Sequence, residues 1–78
     1  MSKNTVCIDK TFPKNNGVQE SCDVHYEFDD YADARTFYFR CVGEYYHKFT
    51  DGKTRIERVS LWLFDSFGEI EKNCTFTH

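Results

Sequence analysis

Residues 29–50, DDYADARTFYFRCVGEYYHKFT, decide the fold, because here apolar residues recur at helical spacing over many turns. At about 100° per residue, Ala34, Phe37, Tyr38, Cys41, Val42, Tyr45 and Phe49 share one broad stripe that predicts packing against a sheet. Asp30 is the expected N-cap, with Asp33 three residues on in a variant of the capping box. Asp51-Gly52 supplies the stop, since glycine tolerates the left-handed conformation that ends many helices. A helix over about residues 31–49 follows. Its far side carries Thr36, Arg40, Gly43 and His47, while Phe39 and Tyr46 fall on a flank beside Arg35, outside the stripe.

The segments on either side alternate with the period of two that marks half-buried strands. In residues 5–12, Val6, Ile8 and Phe12 oppose Cys7, Asp9 and Thr11; Lys10 interrupts the apolar side. PKNNG at 13–17 is turn chemistry. In residues 21–28, Cys22, Val24, Tyr26 and Phe28 share one face and Asp23, His25 and Glu27 the other. Residues 55–65 form the best strand, with Val59, Leu61 and Leu63 toward the helix and Trp62 and Phe64 on the outer face. After a turn at Ser66-Phe67-Gly68, residues 69–76 return with Ile70, Cys74 and Phe76 inward. The expected architecture is α+β: a two-layer ββαββ domain spanning 1–78, with a four-stranded, mostly antiparallel sheet and one helix on one face.

At 78 residues the chain sits near the lower limit for a core without staples. Eight Phe, five Tyr and one Trp compensate, since each ring buries a large area. No apolar run suffices for a membrane span, and MSKNTVCIDK lacks the apolar centre of a secretory signal. The expected location is therefore the cytoplasm, with Cys7, Cys22, Cys41 and Cys74 reduced.

The net charge of −3 conceals a strong asymmetry. Between residues 15 and 34 there is no Lys or Arg, and Glu20, Asp23, Glu27, Asp29, Asp30 and Asp33 give −6; residues 35–58 sum to +3.

Chemical signatures are sparse. The cysteine spacings of 15, 19 and 33 lack the close ligand pairs of a structural zinc site, so neither a metal nor a cofactor is expected. Cys22 and His25 point to opposite faces of one strand, and no thiol or hydroxyl has an evident base, so no enzymatic activity is expected.

Binding readings remain. Trp62 and Phe64, near Arg55 and Arg58, resemble the stacking platforms of RNA-binding sheets, but Asp23 and Glu27 on the same outer face oppose phosphate. The leading expectation is a protein-binding module. Asp23, Glu27, Asp29, Asp30 and Asp33 would present an acidic surface, with Phe39, Tyr46 and Trp62 as aromatic anchors. The partner expected is a protein with a basic nucleic-acid-binding groove; a homodimer sealing Trp62 and Phe64 sheet to sheet is a further reading. In size, acidity, aromatic content and lack of chemical signatures the chain resembles small phage-encoded inhibitors of bacterial defence nucleases, anti-CRISPR proteins among them. That resemblance carries no motif and assigns no residue; it implies an inhibitor acting in the host cytoplasm.

Overall fold

The computed structural model describes residues 3–78. Strands β1 (Asn4–Thr11) and β2 (Ser21–Phe28) precede helix α1 (Tyr31–Asp51), and β3 (Arg58–Phe64) and β4 (Ile70–Thr77) follow it. The four strands make one sheet in the order β2-β1-β3-β4, and every neighbouring pair is antiparallel. The ββαββ two-layer architecture is thus the one expected, with no parallel pair.

Each local element has a local cause. The β1–β2 hairpin closes at Asn16 and Gly17, both with positive φ (56° and 80°), as a tight hairpin turn twisted to match its strands requires. The Asp30 carboxylate accepts from the Ala32 amide at 2.9 Å and caps α1, and Gly52 at φ 67° ends it. Replacing Asp30 with alanine should cost about 1 kcal/mol, read as a lower urea midpoint without change in slope. At the β3–β4 turn the Asp65 carboxylate accepts from the Phe67 and Glu69 amides at 2.9 and 3.0 Å.

The core lies between helix and sheet. Ala34, Tyr38, Cys41 and Tyr45 of α1 meet Val6 and Ile8 of β1 and Val59, Leu61 and Leu63 of β3. Phe37, Val42 and Phe49 complete the helical stripe at its margins, half-buried. Full burial of one such aliphatic side chain contributes about 1.5–3 kcal/mol, and the four largest fully buried ones, Val6, Val59, Leu61 and Leu63, all lie on the two central strands.

Three expectations are corrected. Strand β3 begins at Arg58, not residue 55: the Ile56 amide is held by the Thr54 hydroxyl at 3.2 Å, and Ile56 turns into the core. Ile70 is 55% exposed and not inward, because a register shift at Leu63/Phe64 sets it opposite Phe64. Lys72 takes the position opposite Leu63 instead. Cys22 is exposed although it shares the helix-side face, because it lies at the start of an edge strand.

Candidate functional site

Helix α1 covers one face of the sheet, and the other face has no second layer among the described residues. Register assembles that outer face in rows. One row runs His25, Cys7, Trp62, Asn73 across the four strands, and the next runs Asp23, Asp9, Ser60, Thr75. A third brings Glu27, Thr5, Phe64 and Ile70 together. Trp62 and Phe64 are therefore outward as expected, but half-buried between their neighbours. A shallow hollow of about 440 Å³ lies over this surface, lined by Cys7, Asp9, Ser21, Asp23, His25, Trp62 and Phe64.

The electrostatics of the hollow are unusual. Asp9 and Asp23 stand directly opposite each other in the β1–β2 ladder, and like charges so placed are destabilising. Among the described residues, no Lys or Arg forms an ion pair with Asp9, Asp23 or Glu27. The neighbour Asp23 does have is the His25 ring, 3.2 Å from its carboxylate.

The other acids of the 15–34 block are placed differently. Asp29 pairs with Lys3 at 3.3 Å, Asp30 is engaged in capping, and Asp33 lies exposed in the first turn of α1, where the helix dipole favours it. Asp23 and Glu27 face away from the helix, whereas Asp30 and Asp33 belong to the helix layer. The chain changes layers at Asp29-Asp30, which divides the acidic run between two surfaces.

The rings divide further. Phe37 packs on Tyr26 and Phe28 of β2, at centroid distances of 4.7 and 5.3 Å, and so defines the β2 side of the helix. Phe39 instead lies by Lys72, and Tyr46 by Phe76 at 6.3 Å, both on β4. Phe39 and Tyr46 are exposed, at 44% and 53%, but on the β4 side, across the sheet from the acids of β2. Of the expected binding residues, the structure brings together Asp23, Glu27 and Trp62 and separates the rest from them.

Two members of the outer face are additions. Asp9 has the same parity as Cys7 and Thr11, a signal present in the sequence but without force until pairing sets Asp23 opposite. Cys7 stands opposite His25, a thiol–imidazole–carboxylate succession with Asp23 that no sequence spacing reveals. Burial pushes the Cys7 pKa up, and the Asp23 charge adds to that, which opposes thiolate formation. Among the described residues, no three His, Cys, Asp or Glu side chains group so as to hold a metal ion.

In the core, burial raises the pKa of the Cys41 thiol and of the Tyr38 and Tyr45 phenols. These groups stay neutral in the fold while the unfolded chain ionises near the ordinary values of 9.0 and 10.0. Their contribution is intact below the unfolded values and is lost as pH rises through the folded ones. The urea midpoint should hold steady from neutrality to about pH 8.5 and then fall, each group adding a slope of up to about 1.4 kcal/mol per pH unit. Tyr38→Phe should flatten that fall, and a midpoint unchanged near pH 10.5 would contradict the assignment.

No helix among the described residues is long and apolar enough to cross a membrane. Comparison with protein-family models, with curated proteins and with solved structures found no match to this chain.

Proposed function

We propose that the chain is a non-enzymatic binding module that docks on a basic, nucleic-acid-handling protein through the outer face of its sheet. The observation that carries this is the Asp9–Asp23 cross-strand pair, flanked by Glu27 and beside Trp62 and Phe64, without a Lys or Arg partner among the described residues. Opposed carboxylates lower the stability of the sheet, and a cationic partner would relieve that repulsion on contact. The rings supply apolar area on β3, and the acids line its β1–β2 side with charge that attracts Lys and Arg. Such a face competes for a groove that otherwise holds phosphates. The resulting role is an inhibitor of the nucleic-acid-handling protein, working in the cytoplasm.

The same acids work against the alternatives. A nucleic-acid strand laid on Trp62 and Phe64 would bring phosphates to Asp9, Asp23 and Glu27. Two copies joined face to face would set those carboxylates against one another.

Trp62 is the one tryptophan in the chain, so its emission reports directly on this surface. Titration with an oligoarginine peptide at low ionic strength should shift the emission, and about 0.5 M salt should reverse the shift. An oligothymidylate strand should leave it unchanged. A response to the oligonucleotide and none to oligoarginine would replace this reading with direct nucleic-acid binding.

A further inference from the structure

The flank where α1 meets β4 is a second surface, opposite in charge to the first. Phe39 is 44% exposed, yet two cations from different elements converge on its ring: the Arg35 guanidinium carbon at 5.1 Å and Lys72 Nζ at 5.5 Å from the centroid. Neither cation forms an ion pair with a carboxylate among the described residues. Tyr46, 53% exposed, extends the surface along the helix and meets Phe76 edge-on. Cations held over an aromatic face are partly desolvated and pre-positioned, which lowers the entropy lost when an anion joins them.

The matching anionic surface is on the same chain. The outer face offers Asp9 and Asp23 at the hollow lined by Trp62, with Glu27 farther along β2, and it lies toward β2, at the other edge of the sheet from β4. A stacked base is a poor fit to the flank, because the ring of Phe39 already has Arg35 and Lys72 over it. We propose that the Arg35–Phe39–Lys72 flank of one copy docks on the Asp9–Asp23–Glu27 face of another. The two surfaces differ and lie apart, so the contact is head to tail and the product is an open chain rather than a closed dimer. Asp9, Asp23 and Glu27 on the β1–β2 side and Arg35 and Lys72 on the β4 flank give each copy the charge separation that orients such an encounter. Self-association would occlude the acidic face, so monomer release would govern its access to any basic partner.

Sedimentation of the full chain at about 20 mM salt should show a weight-average mass that climbs above 9.3 kDa with concentration and returns to 9.3 kDa at about 0.5 M salt. Arg35→Gln/Lys72→Gln, with the flank disabled, and Asp23→Asn/Glu27→Gln, with the face disabled, should each remain monomeric at least tenfold beyond the concentration at which the unmodified chain associates. Mixed in equal amounts they should form a complex that stops at two copies, because only one productive contact remains. An unmodified chain that stays at 9.3 kDa at about millimolar concentration and low salt overturns the proposal. So does association that survives in either variant alone. The flank variant keeps the acidic face, so its Trp62 response to oligoarginine tests the proposed function separately: that response should persist whether or not copies associate.

Discussion

Replacing Leu61 with alanine is expected to remove a large share of the stability of this protein. Leu61 is fully buried on the central strand β3, opposite Ile8 of β1 and Cys74 of β4, and faces the helix. The substitution deletes transfer free energy and leaves a cavity among neighbours that the ladders hold on both sides; such changes cost about 2–5 kcal/mol. A 78-residue chain at roughly 0.05–0.15 kcal/mol per residue holds only about 4–12 kcal/mol in all. At the middle of both ranges the urea midpoint should therefore fall by roughly 40%, and the variant should lose structure at a temperature where the unmodified chain is folded. Phe67, 88% exposed at the β3–β4 turn, is the matched comparison: its removal should change stability by no more than about 0.5 kcal/mol. A Leu61→Ala cost below about 1 kcal/mol would mean that the helix does not seal this face.

Reversing the charge of Asp23 and Glu27 to lysine is expected to weaken capture of the oligoarginine probe at least a hundredfold and, at the same time, to stabilise the fold. The opposite signs follow from one geometry. Lysine at position 23 would face Asp9 across the β1–β2 ladder and convert a repulsive pair into an attractive one, an effect of about 0.2–1 kcal/mol. The same change removes the negative charge that a basic partner meets. Asp9→Asn should act in the same two directions with smaller size. Affinity and stability falling together would assign the acids to the fold, and unchanged affinity would remove the outer face from the binding function. Low ionic strength should enlarge the affinity difference, since exposed charges more than about 10 Å apart are screened at 0.1 M salt.

Much of the architecture was legible because it is local. The stripe from Ala34 to Phe49, the Asp30 cap and the Gly52 stop are all written within a few residues of where they act. The faces of β1, β2 and β3 followed from parity, which holds as long as a strand stays extended. It failed where that condition failed: at Ile70, beyond the irregularity at Leu63/Phe64. The candidate site was less legible. Extending the Asn15–Val18 bridge without interruption would set Asp9 opposite Val24; a one-residue shift before Thr11/Ser21 sets it opposite Asp23 instead. No turn signal in PKNNG announces that shift.

The sequence by itself determined which residues form the helix, which side of it is apolar, and which faces of β1, β2 and β3 turn toward it, because periodicity and capping depend on neighbours in the chain. Only the tertiary structure decided the strand order and, with it, which charges meet. Placing β1 between β2 and β3 put Asp9 opposite Asp23 and Cys7 beside both His25 and Trp62. Sending the helix flank toward β4 carried Phe39 and Tyr46 away from the acids that precede them in sequence. Pairing between strands is a long-range choice set by burial and register, so residues close in the chain, such as Glu27 and Asp30, part into two layers, while residues far apart build one surface.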